Sequence, residues 1–364
     1  MDAQPPVMIE ATQLETLVRD MFAASGCNAE EAATVAGHLV GANLAGHDSH
    51  GVVRVTRYLD WLKSGYLVSG RELQTVLDGG AFALFDAQFG LGQPMAKRAT
   101  EHGIARAQQH GAAVVALRNA GHVGRIGHYA EMAIEAGLIS VHFVNVAGSV
   151  LVAPFGGVER RLSTAPFAVG VPLPERPVVL DFATSLVAEG KVLVASNGGK
   201  ALPDGALIEP DGTLSSDPHT LYGDYPPVGL RSAGAGSGAI RAFGDHKGSG
   251  LALMCELLGG AFTGGGCAGP IEERARITNG MLSIYLSPAH FGTEAEFHRS
   301  GRAYADWFAS SRPAAPGGEV LLPGEPEARH RATRLRDGIP LQPDLWVGMV
   351  QAAQSLGVTV PTAR

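Results

Sequence analysis

The chain holds 364 residues, of which 45% are apolar, only 17% are charged and 49 are glycine, with a formal net charge of −7. This length exceeds one ordinary hydrophobic core and predicts two or three interlocked lobes, while the composition suits a compact α/β protein and excludes a largely disordered chain. The acidic balance argues against nucleic acid, no apolar run reaches membrane-spanning length, and Cys27, Cys255 and Cys267 are too scattered for a disulfide framework or a zinc motif.

The opening Met1-Asp2-Ala3-Gln4-Pro5-Pro6 lacks the basic and apolar regions of a signal peptide, so a cytoplasmic protein with reduced thiols is expected. Leu14, Leu17, Val18, Met21 and Phe22 recur at helical spacing up to Gly26. Asn28 and Glu31 form a capping-box pattern that opens a second helix through Val35, Leu39, Val40 and Leu44. At its end lies His47-Asp48-Ser49-His50-Gly51-Val52-Val53-Arg54, before the helical pattern Tyr58-Leu59-Asp60-Trp61-Leu62. A strand is predicted at Phe82-Ala83-Leu84-Phe85-Asp86-Ala87 and a helix over 94–110. Buried strands follow at Ala113-Val114-Val115-Ala116-Leu117 and Leu138-Ile139-Ser140-Val141-His142-Phe143-Val144, with a helix over 126–135 between them. That alternation predicts an α/β/α layered core. Val178-Val179-Leu180 begins another strand ending at Asp181, and 202–244 reads as loop rich in Gly, Pro, Asp and Ser. A helix is predicted over 249–262, a strand at Met281-Leu282-Ser283-Ile284-Tyr285-Leu286 and a last helix over 344–356. There is no internal repeat and no flexible linker, so the lobes are expected to interdigitate; the low charged fraction predicts a homo-oligomer.

The 47–54 stretch gathers two imidazoles, a carboxylate, a hydroxyl and a guanidinium. Histidine moves a proton near neutral pH, and arginine clamps a carboxylate through two parallel hydrogen bonds. A metal reading would use His47, Asp48 and His50, but no further ligand follows at a familiar spacing; an ordinary helix end is the plain alternative. Asn119-Ala120-Gly121-His122-Val123-Gly124-Arg125-Ile126-Gly127-His128 is a glycine-punctuated turn after a buried strand, where ligands gather in α/β folds. There His122 can do acid–base work and Arg125 can hold a phosphate, against the plain reading of two exposed turn residues. Asp181 ends a strand, where a carboxylate can orient an imidazole, accept from ribose hydroxyls or merely cap a helix. Gly244-Asp245-His246-Lys247-Gly248-Ser249 offers backbone N–H groups and a lysine at a helix start, suited to phosphate or to plain capping. Gly234-Ala235-Gly236-Ser237-Gly238 looks like a dinucleotide fingerprint, but Pro226-Pro227-Val228-Gly229-Leu230-Arg231 before it is a poor strand and no clear helix follows, so a loop is expected.

Ser49-His50-Gly51-Val52 with Arg54, the 119–124 turn, Ala153-Pro154-Phe155-Gly156-Gly157, Asp181-Phe182-Ala183-Thr184-Ser185, His246-Lys247-Gly248 and Leu322-Pro323-Gly324-Glu325 occur together in this order. On these motifs the chain resembles, essentially end to end, the malate/L-lactate dehydrogenase type 2 family. Ala42-Asn43-Leu44-Ala45-Gly46-His47-Asp48-Ser49-His50-Gly51 and Gly124-Arg125-Ile126-Gly127 look closest to its bacterial hydroxycarboxylate dehydrogenase B branch. The resemblance implies an L-sulfolactate dehydrogenase-like, non-Rossmann fold: a three-layer α/β/α core with a seven-stranded mixed sheet, plus a helical lobe from the two termini. The expected division is a helical lobe over 1–75 joined by 305–364, and a cofactor-binding core over 76–304 with a smaller lobe interleaved around 118–170. A homodimer is implied as well. One departure is visible: the family often has Thr-Asn-Pro after its Gly-Gly loop, and this chain has Thr164-Ala165-Pro166, without the amide.

The implied activity is reversible hydride transfer between the nicotinamide of NAD or NADP, with NAD slightly favoured, and C2 of a small 2-oxo or 2-hydroxy carboxylate. The carbonyl oxygen becomes alkoxide-like and needs a proton, which an imidazolium with a reference pKa of about 6.5 supplies. His50 and His122 are both catalytic candidates, His50 slightly preferred, and Asp181 is a third. Arg54 is expected to clamp the substrate carboxylate with help from Ser49. The cofactor-binding residues carried over are His50, Gly124, Arg125, Ile126, Val179, Leu180, Asp181, Phe182, Ala183, His246, Lys247, Leu322, Pro323, Gly324 and Glu325; no metal is expected. Reduction of a piperideine or pyrroline carboxylate, a cyclic imine, uses the same clamp and is the alternative. A metal-dependent hydrolase built on His47, Asp48 and His50 is the reading from another class.

Overall fold

The computed structural model describes residues 5–226, 231–270 and 276–362. Most of the 226–231 segment, and the first four residues, lie outside that range. The helical periodicity near the start becomes helix Ala11–Ala24, whose Leu14, Leu17, Val18, Met21 and Phe22 are all buried. Each such side chain stabilises by about 1.5–3 kcal/mol on burial. Asn28 caps helix Ala29–Leu44 as its pattern requires: its side chain accepts from the Glu31 amide at 2.9 Å, and Glu31 accepts from the Asn28 amide at 3.3 Å. The chain's far end closes this bundle. Strand Val7–Ile9 pairs antiparallel with Ile339–Leu341, and Met349 and Ala353 of helix Pro343–Ser355 enter the same core.

The central sheet has seven strands, in the spatial order Gln74–Asp78, Phe82–Asp86, Ala112–Ala120, Thr278–Leu286, Ile139–Ala147, Pro166–Val171 and Val178–Ala183. Phe82–Asp86 and Ala112–Ala120 run parallel, whereas every other neighbouring pair is antiparallel, so the sheet is mixed. Helices Gly92–His110 and Gly127–Glu135 cover the sheet on one side; His246–Cys255 and the π-helical turn Glu256–Ala261 lie against its central strands on the other. The expected α/β/α layering and the helical lobe from both termini are present. Two strands escaped the sequence pattern. Gln74–Asp78 is an edge strand exposed along its whole length, and Pro166–Val171 opens on a proline.

The 202–244 segment is corrected from loop to part of a small lobe. Its strands Leu207–Ile208, Leu214–Ser215 and Ala239–Arg241 join Val152–Ala153 in a four-stranded sheet over buried Val187, Val192, Leu221, Tyr222 and Ile240. Strands of two or three residues are too short to show an alternating pattern. The glycine-rich 234–238 turn is wrapped on Arg160, which donates to the Gly238 carbonyl at 2.6 Å, to the Gly236 carbonyl at 2.8 Å and also to the Ala233 carbonyl. Its carbonyls face a guanidinium and a strand follows it, so it lacks the helix start that a dinucleotide fingerprint needs.

Candidate active site

The 47–54 stretch folds as two successive 3₁₀ turns, Asp48–His50 and Val52–Arg54, between helix Ala29–Leu44 and helix Val55–Lys63. Buried Asn43 organises them: its side chain accepts from the Val52 amide at 2.8 Å and donates to Asp48 Oδ1 at 2.6 Å. Glycine is required at position 51, since a Cβ there would lie 2.1 Å from Asn43 Oδ1. Arg54 donates through Nε to the Ser49 carbonyl at 2.7 Å, and among the described residues its two terminal nitrogens have no partner. Ser49 Oγ lies 3.1 Å from His50 Nδ1. His47 and Asp48 are taken up elsewhere, by Glu327 and Arg334 of helix Glu325–Asp337. Among the described residues no three His, Cys, Asp or Glu side chains are grouped to hold a metal ion, which removes the geometry that the hydrolase reading needs.

His122, from the turn after strand Ala112–Ala120, comes to His50 from the other side. The two rings stack with centroids 5.6 Å apart and 17° between planes. Tyr58, four residues beyond Arg54, hydrogen-bonds His122 Nδ1 through its hydroxyl and accepts from Gln93 Nε2 at 3.1 Å. Because Gln93 is the donor, the phenolic proton points at Nδ1, and neutral His122 then carries its own proton on Nε2. Burial pushes His50 down to about 3, with the Arg54 guanidinium adding to the effect. His122 is held well below the usual histidine range by burial, then Arg54, then His50. Burial raises the Tyr58 phenol to about 12. Both imidazoles of the free protein are therefore neutral near pH 7, not imidazolium.

Further along the same turn, Gly124 adopts φ +80° and the next amide, of Arg125, donates to buried His38 Nε2 at 2.9 Å. A Cβ on Gly124 would lie 2.2 Å from that nitrogen. Arg125 is only 3% exposed; its terminal nitrogens reach Glu131 at 2.7 and 3.0 Å, and its Nε lies 3.7 Å from Asp181 Oδ2. Its expected phosphate role is corrected accordingly: both ends of the fork are committed to Glu131. Asp181 accepts from the Gly127 amide at 2.8 Å, where helix Gly127–Glu135 begins, and hydrogen-bonds neither His50 nor His122. Burial raises its carboxyl, with Arg125 opposing. The helix-capping reading describes Asp181 better than a catalytic one. Ile126 is buried beside it.

Val179, Leu180, Phe182 and Ala183 share the sheet-edge strand Val178–Ala183, and the Leu322, Pro323, Gly324 turn fastens to it through the Val179 amide and the Pro323 carbonyl at 3.0 Å. Glu325 braces that turn, accepting from the Leu322 amide at 2.8 Å and from Arg176 Nε at 2.7 Å. His246 and Lys247 are exposed at the first positions of helix His246–Cys255. Phe182 meets Phe243 edge-on at 5.2 Å, which brings that helix start to the end of the strand. Ser185 Oγ is buried there without a partner among the described residues. The small lobe reaches the 47–54 turn: a Cβ on Gly190 would lie 3.2 Å from Ser49 Cβ. Ala165, where the family often has asparagine, is fully buried, and its carbonyl accepts from Thr184 Oγ1 at 2.8 Å. Sequence reasoning missed His38, Asn43, Tyr58 and Gln93 as parts of the site. The spacing of Tyr58 from Arg54, one helical turn, was the one available signal.

The family model for malate/L-lactate dehydrogenases matches residues 9–350. Hydroxycarboxylate dehydrogenase B of Escherichia coli is 37% identical over 359 residues, covering 98% of this chain and 96% of its own. L-lactate dehydrogenase of Cupriavidus necator is 36% identical over 360 residues, covering 98% and 99%. The solved sulfolactate dehydrogenase of Methanocaldococcus jannaschii superposes with a TM-score of 0.84 at 33% identity, covering 97% of this chain and 98% of the other. With both the motif order and the seven-stranded mixed sheet in agreement, the chain belongs to the malate/L-lactate dehydrogenase family.

Proposed function

We propose that this protein reversibly reduces a small 2-oxo acid to the 2-hydroxy acid with a nicotinamide dinucleotide. One observation carries the reading: Arg54 keeps two unpartnered donors beside two stacked, neutral imidazoles, one of which has its tautomer set by Tyr58. The residues fit the cofactor: exposed Leu180 on a sheet edge, exposed His246 and Lys247 at a helix start, and the orphaned Ser185 hydroxyl form an apolar and donor-rich lining. When bound, the reduced nicotinamide supplies the hydride that adds to C2.

The protein's own part is binding and proton delivery. Arg54 clamps the carboxylate through its terminal nitrogens while Nε stays fixed on the Ser49 carbonyl. That clamp neutralises the guanidinium which, after burial, most opposes a charge on His122. The substrate therefore brings a proton with it. His122 gives its Nε2 proton to the C2 oxygen as that oxygen gains charge. Tyr58 serves both states, donating to a bare Nδ1 and accepting from a protonated one. His122 is thus preferred over His50 as the proton carrier, with the His50 ring stacked beside it. NAD and NADP are both compatible with this lining.

The test is oxidation of NADH and NADPH, followed by absorbance, with pyruvate, oxaloacetate, phenylpyruvate and a piperideine carboxylate. Turnover with one or more of the oxo acids is expected. Turnover with the imine alone would transfer the reading to a cyclic-imine reductase, and none with any of them would end it.

A further inference from the structure

Helix Glu325–Asp337 connects two parts of the site that are far apart in sequence. It starts at the turn whose Pro323 carbonyl accepts from the Val179 amide of the sheet edge at 3.0 Å. Near its other end, Arg334 donates to Asp48 Oδ1 at 2.6 Å and to Asp48 Oδ2 at 3.0 Å, and also to the Asn43 carbonyl. One side chain of its first turn, Glu327, accepts from His47 Nε2 across 3.1 Å. The Arg334 side chain is only 13% exposed although it sits on a strongly charged surface helix. It hydrogen-bonds none of His50, Arg54 and His122. Asp48, however, is the first residue of the 3₁₀ turn that carries Ser49 and His50, and Asn43 ties the same carboxylate to the Val52 amide.

We propose that Arg334 is the positioning residue of the substrate turn. Its two-pronged hold on Asp48 fixes where Arg54 and His50 stand relative to the 179–183 edge, because the same helix is rooted on that edge. The geometry is a strut with one end at the cofactor turn and the other at the carboxylate clamp. It rests on the function proposed above, since it concerns the placement of groups for a 2-oxo acid and a dinucleotide.

The experiment compares steady-state kinetics and dinucleotide affinity, the latter by fluorescence titration, for the wild type, Arg334→Ala, Arg334→Lys, Asp48→Asn and the Asp48→Asn/Arg334→Ala pair. Displacing a clamp slightly from outside the chemistry costs on the order of 100-fold in kcat/KM. Arg334→Ala is expected to lose that much, mainly through a raised KM for the oxo acid, with dinucleotide affinity unchanged. A lysine recovers only part of it, because a point charge cannot fork onto both carboxylate oxygens. The double variant should be no worse than the poorer single variant, since the two residues act as one unit. Arg336→Ala, whose guanidinium pairs with neighbouring Asp337 at the surface, should behave as the wild type. An unchanged KM in Arg334→Ala, full recovery by lysine, or a parallel loss of dinucleotide affinity overturns the proposal. If Arg334→Ala does not fold, Arg334→Lys decides: a raised KM with intact dinucleotide binding supports the strut, and a wild-type KM refutes it. A wild type inactive on every 2-oxo acid would instead bring down the functional reading, and the strut with it.

Discussion

In the proposed reaction Arg54 and His122 divide the work of the site between charge and proton, and each can be removed separately. Arg54→Lys keeps the charge and loses the fork, so KM for the oxo acid should rise at least about tenfold while dinucleotide binding stays intact. His122→Ala should lower kcat by about 100-fold or more, the ordinary worth of a general acid. Tyr58→Phe leaves Nδ1 without its partner and should cost roughly tenfold in kcat, the equivalent of one hydrogen bond. The pH dependence has a definite sign. Burial and Arg54 hold free His122 well below its ordinary value, so the free enzyme lacks the catalytic proton near neutrality. Reduction takes that proton up with the substrate, and kcat/KM should fall about tenfold per pH unit as pH rises through neutrality. A flat profile between about pH 6 and 8 would contradict this assignment.

At the scale of single elements, the sheet carries a histidine with no part in the chemistry. His142 lies fully buried within strand Ile139–Ala147, 2.8 Å from Ser283 Oγ and 3.0 Å from Ser140 Oγ. Burial pushes it down to about 3. The unfolded chain accepts that proton near pH 6.5 and the native sheet refuses it, so its contribution is complete above 6.5 and is lost as pH falls toward 3. At about pH 5 the loss amounts to roughly 2 kcal/mol. His142→Asn, which keeps a donor and an acceptor, should reduce the acid-induced drop in unfolding free energy by about that amount, measured by urea denaturation at both pH values.

The long buried strands and the helices with a broad buried face were legible because their period extends over many residues; helix Glu294–Ala309, which buries only Ala305, and helix Glu325–Asp337, which buries none of its residues, were not. The exposed edge strand Gln74–Asp78 and the two-residue strands of the small lobe carry no such period. Within the candidate site, the grouping of Ser49, His50 and Arg54 was legible because they lie within six residues of one another. Asn43, Gln93 and His38 acquire their roles only from neighbours that the fold delivers. Arg125 was misread for the same reason: a guanidinium after a glycine turn suggests phosphate until Glu131 is seen to occupy it.

Over the whole molecule, Leu253, Met254, Leu257 and Phe262, 40–67% exposed, follow one another along helix His246–Cys255, the π-helical turn after it and the residue that ends that turn. A soluble monomer rarely leaves such a run of large apolar groups uncovered. We expect a second copy of the chain to cover it, as a homodimer, and Met254→Asp with Leu257→Asp to give a monomer in sedimentation equilibrium. No helix among the described residues is long and apolar enough to cross a membrane. The ties from the substrate turn to Glu327 and Arg334 span 280 and 286 residues of sequence. They therefore impose an order of events during synthesis: the amino-terminal helices emerge from the ribosome early, yet the turn between them must wait for almost the entire chain before its last anchors exist. If Arg334 positions the substrate turn as proposed, activity waits for helix Glu325–Asp337 to be made, whatever has folded before it.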